Sequence, residues 1–330
     1  MIRRTPLAVA LAAALVLAVP ATAQLPDPTE GDPTAEPPAA APAKLWINVK
    51  SGRRDRGTRW VLEGDKLLVK GHIRPYVAGQ KVRIELTRDG KVVERRTRKV
   101  LKDKGGKGKF QIRLDVNEVD VHTVIARHKP TVEQKYGKSN RERFRSLPPR
   151  VSGEQSTRLL QLSLQKMKYI SPLSGELDDP TRRAVLAWRK VNGWARNGSP
   201  TPGMFQKAFH MEGRYRPRYG DPSKHVEGDL SKQVIVLIEH GKPQQIYTMS
   251  SGKPSTPTVQ GSFDFYRSEP GSNSHGMYYS WYFHGGYAVH GYPSVPATYP
   301  ASHGCLRVPM DDAYRIYQWI DYGDRIYTFD

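Results

Sequence analysis

The chain has 330 residues, more than the ~100–200 of a single domain, so several folding units are expected. Its 52 Lys and Arg outnumber 32 Asp and Glu, and the resulting +20 attracts polyanions. A lone cysteine, Cys305, excludes an intrachain disulfide framework.

In chain order, Arg3 and Arg4 precede an apolar run from Leu7 to Val19, and Ala21-Thr22-Ala23 supplies a small-x-small cleavage site. Residues 1–23 therefore read as a secretory signal peptide cut near Ala23. The run is short for a membrane span, and an uncleaved N-terminal membrane anchor is the competing reading. No Cys follows the cleavage site, which argues against a lipoprotein, and no later segment reaches transmembrane length. The mature protein is expected to be secreted or cell-wall associated. Residues 24–43, rich in Pro, Ala, Asp and Glu, read as a flexible or polyproline-like tether.

Residues 44–130 read as all-β. Leu67-Leu68-Val69 and Ile73 follow a Glu63-Gly64-Asp65 turn; Val82, Ile84 and Leu86 alternate with polar residues; Asp89-Gly90 turns the chain into Val92-Val93. Phe110, Ile112 and Leu114 alternate again, and Val121 to Ala126 gives one more strand. Short strands at this spacing suggest an immunoglobulin-like β-sandwich. Residues 131–150 read as a basic linker. Residues 44–150 hold 30 Lys and Arg against 12 Asp and Glu, densest at Arg95–Lys99 and Lys102–Lys109. Outside a cell the matching polyanions are cell-wall polymers or anionic lipid headgroups, and a solvated surface is the plain alternative. No aromatic-interleaved motif points to nucleic acid.

Residues 151–213 change to helical periodicity. Ser152 and Gln155 suggest a capping box, Leu160, Leu164 and Met167 form a stripe, and Asp179 with Pro180 suggests a second helix start. Ala184, Trp188 and Val191 share one face, and a weaker third helix falls near Thr201–Phe209. The order Leu-Gln-x-Ser-Leu, Gly-Glu-Leu-Asp, Thr-x-x-Ala-Val and Trp-x-x-x-Asn-Gly resembles the small three-helix peptidoglycan-binding domain. Glycan binding is implied only by that resemblance, since the Trp188 stripe suits a core. Residues 214–229 read as a Pro-interrupted linker.

Residues 230–330 open with the apolar run Val234–Ile238, turn at Glu239–Lys242 and return at Ile246–Met249. Further strands are expected at Phe263–Phe265, Tyr278–Phe283 and Arg325–Phe329, with a helix starting at Asp311 or Asp312. Within this stretch lies Ser302-His303-Gly304-Cys305-Leu306-Arg307, with His290 fifteen residues before the cysteine. A lone cysteine and a histidine match a thiolate nucleophile and its base, while a buried cysteine acting as a small hydrophobe is the plain alternative. A zinc site from His290, His303 and Cys305 is disfavoured, because no further ligand sits at the right spacing.

Three segments in order, Ser255–Phe263 with its Thr-Pro pair, Gly286-Tyr287-Ala288-Val289-His290-Gly291, and Ser302–Arg307, resemble the L,D-transpeptidase (YkuD-type) family over about residues 230–330. Val259-Gln260 lengthens the first segment slightly, and Arg307 stands where many members carry Asn. The resemblance implies a mainly-β catalytic domain with no cofactor and no metal. It implies Cys305 as nucleophile, His290 as base oriented by the Gly291 carbonyl, and His303 in support. Backbone N–H groups of Gly304 and Cys305 are candidates for an oxyanion hole, and an imidazolium is expected to lower the thiol pKa. Arg307 is a candidate carboxylate anchor, with a structural salt bridge as its alternative. Ser302, Tyr292, Tyr278 and Trp281 are candidates for lining the groove. The implied substrates are peptidoglycan stem peptides, donor and acceptor, joined 3→3; water or a wall-protein amine are other acceptors, and carbapenems the implied inhibitors. A non-catalytic wall-binding protein is the alternative from another class.

Overall fold

The computed structural model describes residues 39–330. The leader at 1–23 and residues 24–38 of the tether lie outside the described residues.

The N-terminal β region contains β1 (Lys44–Val49), β2 (Arg53–Asp55), β3 (Thr58–Leu62), β4 (Lys66–Arg74), β5 (Lys81–Arg88), β6 (Lys91–Lys99), β7 (Leu101–Asp103), β8 (Lys107–Asp115), β9 (Val121–His128), β10 (Gly137–Lys138) and β11 (Glu142–Leu147). One sheet runs β1-β4-β8-β7; the other runs β2-β3-β11-β9-β5-β6, with β10 on β9. Alternation places Leu67, Val69 and Ile73 of β4, Val82, Ile84 and Leu86 of β5, and Ile112 and Leu114 of β8 in a common core. The β5–β6 turn has positive φ at Asp89 (46°) and Gly90 (77°), which suits a tight hairpin.

Strand β6, with its Arg95–Lys99 run, is a sheet edge, where repeated cations hinder pairing with another chain. Part of that charge is neutralised internally. Arg95 pairs with the buried Glu85 (3.3 Å), and Arg96 with Asp115 (2.7 Å).

The segment expected as a linker, 131–150, instead contributes β10 and β11. Strand β11 lies inside the larger sheet, parallel to β3 and antiparallel to β9. Its inward Phe144, Ser146 and Leu147 are interleaved with charged outward residues, which hid the strand in a basic background.

Helices α1 (Glu154–Lys166), α2 (Asp179–Val191) and α3 (Pro202–Phe209) follow. The expected capping box does not form. Gly153 is the N-cap residue of α1; Ser156 Oγ accepts from Ser152 N (2.7 Å), and Gln155 donates to Asp55 (3.0 Å). Helix α2 is capped one residue earlier than expected, by Asp178 accepting from Thr181 N at 2.9 Å. Trp188 is fully buried, with its Nε1 donating to Glu212 O (3.1 Å), so it is a core residue.

The C-terminal region contains β12 (His225–Asp229), β13 (Val234–Glu239), β14 (Lys242–Thr248), β15 (Gly261–Asp264), β16 (Arg267–Ser272), β17 (Tyr278–His284), β18 (Tyr287–Gly291), β19 (Leu306–Val308), α4 (Met310–Trp319) and β20 (Arg325–Phe329). One sheet runs β14-β13-β12-β20-β15 and the second β16-β17-β18-β19. The expected linker at 214–229 therefore ends in a central strand. Strand β12 is buried throughout yet reads His-Val-Glu-Gly-Asp, because its two carboxylates find partners inside. Glu227 accepts from Tyr215 OH (2.7 Å), Tyr219 N (2.8 Å) and Arg218 N (3.2 Å), which fastens the preceding segment to the sheet.

The helices sit between the two β regions within one compact unit. A single apolar cluster joins Leu62 and Leu147 of the first region, Leu160, Trp188 and Phe205 of the helices, and Val234, Val236, Ile238 and Ile246 of the catalytic sheet. Residues 168–170, after α1, add main-chain hydrogen bonds to Ile246 on the β14 edge, at 2.9 and 3.4 Å. Asp55 and Arg158 form a buried bidentate pair (3.0 and 3.1 Å) on one side of the helices. Arg183 and Asp312 of α4 pair at 3.0 Å on the other.

Because one core spans all three parts, unfolding is expected as a single cooperative transition. Trp188→Ala should lower its stability by about 3–5 kcal/mol. Urea denaturation followed by far-UV circular dichroism checks this, and two resolved transitions in the wild type would contradict it.

Candidate active site

Strands β18 and β19 pair in parallel, with Val289 opposite Leu306 and His290 opposite Arg307. Period-two alternation then divides the side chains. Val289, Leu306 and Val308 enter the catalytic core with Trp281 and Phe283. Ala288, His290, Cys305 and Arg307 take the opposite face, where Cys305 packs on the cluster of Met277, Tyr282 and Ala288. The pairing thus places Cys305 and His290 on one face of the sheet from positions fifteen residues apart.

His290 is buried, and its Nδ1 donates to Gly291 O at 2.9 Å. That bond fixes the Nδ1–H tautomer and leaves Nε2 as an acceptor. Burial, with a contribution from the Arg307 charge, lowers the His290 pKa to about 4. Cys305 is half-buried, with Sγ 3.7 Å from Gly286 O. Desolvation raises its thiol pKa, against weaker opposing pulls from the Ala288 N–H and Arg307. Burial thus works against the charged form of both groups, the reverse of the lowering expected for the thiol.

The turn before Cys305 is built around Ser302. Its buried hydroxyl donates to Cys305 O (2.6 Å) and accepts from Gly304 N (3.0 Å). Ser302 is thus a brace inside the turn and not a groove-lining residue. The Gly304 N–H is consumed by that brace, so it is not a free oxyanion donor. Cys305 N–H has no protein acceptor among the described residues and remains the candidate. Gly304 has φ +119°, and a Cβ there would lie 2.2 Å from Tyr287 Cε1, so glycine is required.

The Thr-Pro segment closes over this turn. Thr258 Oγ1 donates to Gly304 O (2.8 Å) and accepts from Gly252 N (2.9 Å); Thr256 Oγ1 donates to Ser302 O (3.2 Å). These two hydroxyls are site residues that reading the sequence missed. The Thr-Pro motif was their only signal, and it gave no role.

The other candidates divide. His303 is exposed, and its Nε2 accepts from Lys253 Nζ at 3.1 Å. Arg307 lies over the Tyr292 ring at 4.0 Å, donates to Ala301 O (3.3 Å), and keeps a buried Nε without a partner. No carboxylate lies within ion-pair distance of Arg307 among the described residues, so the structural salt bridge is not formed. Tyr292 also meets His290 edge-on at 5.8 Å, which places it at the site. Tyr278 is not there: it pairs opposite Gly291 and packs on the α4 side, against Tyr279 at 4.6 Å. Trp281 is buried, with Nε1 donating to Tyr317 O (2.9 Å), so both aromatics serve the core. Among the described residues no three His, Cys, Asp or Glu side chains gather as a metal site.

Residues 223–328 match the family model described as the YkuD L,D-transpeptidase catalytic domain. Among solved structures, the chain is similar to an L,D-transpeptidase from Xylanimonas cellulosilytica, at 31% identity, covering 55% of this chain and 97% of that one, TM-score 0.49. A second is an L,D-transpeptidase from Stackebrandtia nassauensis, at 18% identity over 56% and 98% of the two chains, TM-score 0.37. A third is the Enterococcus faecium catalytic domain acylated by ertapenem, at 23% identity over 33% and 98%, TM-score 0.29. No curated protein matches the chain. Residues 223–328 thus form a domain of the L,D-transpeptidase family.

Gly304→Ala tests the turn. The forced collision with Tyr287 should shift Cys305 enough to slow its acylation about 100-fold, a loss of the size that ~1 Å misplacement causes. Rate measurement by intact mass, with circular dichroism to confirm folding, checks this, and an unchanged rate would show that the turn tolerates a side chain.

Proposed function

We propose that this protein is an L,D-transpeptidase that forms 3→3 peptidoglycan crosslinks through a thioester on Cys305. The observation that carries the reading is the Nδ1–H of His290 given to Gly291 O at 2.9 Å, on the same sheet face as the thiol. It leaves Nε2 unprotonated and ready to take the thiol proton.

The donor is a tetrapeptide stem. As Sγ attacks the carbonyl of its third residue, the thiol proton passes to His290 Nε2 and the oxyanion forms against Cys305 N–H. The C–N bond breaks, the proton passes from His290 to the departing D-alanine amine, and a thioester remains. An amine from a neighbouring stem gives its proton to His290 as it attacks, and the sulfur leaves and recovers that proton. Arg307, a cation without an acidic partner beside this site, is suited to hold the donor's terminal carboxylate. A substrate of this kind lies outside the membrane, in keeping with the leader read at 1–23. His303 borders the site from the exposed side.

Brief exposure to a carbapenem, followed by intact-mass analysis, tests the nucleophile. One adduct is expected on the wild type and none on Cys305→Ala; no adduct on folded wild type would favour a non-catalytic wall-binding protein. The acylation rate should also hold down to about pH 4–5 before His290 protonates, because its pKa lies near 4; a fall centred near pH 6.5 would contradict a buried neutral base. Incubation with stem tetrapeptide then reads the acceptor: a crosslinked dimer supports transpeptidation, and tripeptide alone supports L,D-carboxypeptidase action.

We also infer that the two-sheet β region, read as immunoglobulin-like, holds an anionic cell-wall polymer, and that the helices follow the peptidoglycan-binding pattern as a scaffold. The solvent face of sheet β1-β4-β8-β7 supports the first reading. Trp46, His72 and Lys109 line up across three strands, beside exposed Lys44, Lys70 and Arg113, which have no acidic partner among the described residues. Cosedimentation with purified wall polymer should weaken steeply with salt, as counterion release requires. Lys70→Gln/Arg113→Gln should weaken it further, whereas salt-independent pelleting equal to the wild type would reject this face.

A further inference from the structure

We propose that Lys190 of helix α2 is a positioning residue for the loop that carries Cys305. This rests on the reading of Cys305 as nucleophile.

Lys190 is 3% exposed, and its Nζ donates to Thr248 Oγ1 (2.6 Å), Met249 O (3.0 Å) and Gln233 O (3.2 Å). Three ammonium N–H groups thus meet three acceptors. No carboxylate lies within ion-pair distance of Lys190 among the described residues. Burial pulls its pKa down to about 7, and the nearby Arg196 charge adds repulsion. A buried cation with neutral partners is a costly way to fill space, since an apolar side chain of similar length avoids the desolvation. What the ammonium adds is geometry at Gln233 and Met249.

Those two residues lead directly to the nucleophile. Gln233 clamps Ser251, accepting from its N–H (2.9 Å) and donating to its Oγ (2.7 Å). Ser251 O accepts from Ala301 N and Ser302 N, both at 3.0 Å. Ser250, next to Met249, exchanges two main-chain bonds with Arg307, each 2.9 Å, and its Oγ accepts from Ala301 N (3.0 Å). The Ser250-Ser251 pair therefore grips the Cys305 turn before and after the cysteine, and Lys190 fixes the two residues on which that grip hangs. Arg196 of the same helical region donates to Thr298 O (3.4 Å), in the loop between His290 and Ser302.

Lys190→Met is the test, read in two ways. Hydrogen exchange followed by mass spectrometry should show amides at 249–252 and 301–307 exchanging at least about tenfold faster, with β4 and β8 unchanged. Carbapenem acylation of Cys305 should slow about 10- to 100-fold, the scale of a small misplacement of reacting groups. If Lys190→Met does not fold, Lys190→Gln, which keeps a donor, is read the same way. Unchanged protection at both segments would overturn the proposal, and so would protection lost equally in β4 and β8, or failure of both variants to fold, since Lys190 would then act on stability alone. A wild type that carbapenem does not acylate would sink the reading of Cys305, while the exchange measurement would still decide whether Lys190 holds the loop.

Discussion

Strand β13 carries five consecutive apolar residues because neither of its faces meets water. Val234, Val236 and Ile238 pack on the helices, and Ile235 and Leu237 pack into the catalytic core. Stripping the helices away would expose three large side chains on this strand, each worth about 1.5–3 kcal/mol when buried, and would free the β14 edge that residues 168–170 cover. The helices are therefore a structural layer of the catalytic unit as much as a module before it. The ion pairs on their two sides, Asp55 with Arg158 and Arg183 with Asp312, orient what the shared core holds together.

How much of this was legible follows from the same burial pattern. Val234–Ile238 announced a strand because double burial leaves a continuous apolar run, and β5 and β8 announced themselves by alternation. Strand β12 was silent, since Glu227 and Asp229 find hydrogen-bond partners inside and, with His225, mimic a loop in composition. Strand β11 was silent because its outward charges merged with a basic background. The helix stripes were plain, yet their caps shifted by a residue, and in α1 the side chain expected to close the box, Gln155, donates to Asp55 instead.

At the site, residue types marked Cys305 and His290, the family resemblance gave them and Gly291 their roles, and one strand pairing places the first two on a common sheet face. Roles within the turn were not legible, because they depend on which donor meets which acceptor. Ser302 and Gly304 satisfy each other, while Thr256 and Thr258 arrive from a segment about 46 residues away to brace the turn. Tyr278 and Tyr292 look equivalent in sequence, but lie on opposite sides of the sheet's register.

The burial that raises the Cys305 thiol pKa has a further consequence. Peroxides and disulfides react with thiolates, so a cysteine kept protonated by its surroundings is a slow target for them. Having no second cysteine, the chain also cannot trap itself in an internal disulfide. Together these properties leave the Cys305 sulfur slow to oxidise and without an internal partner.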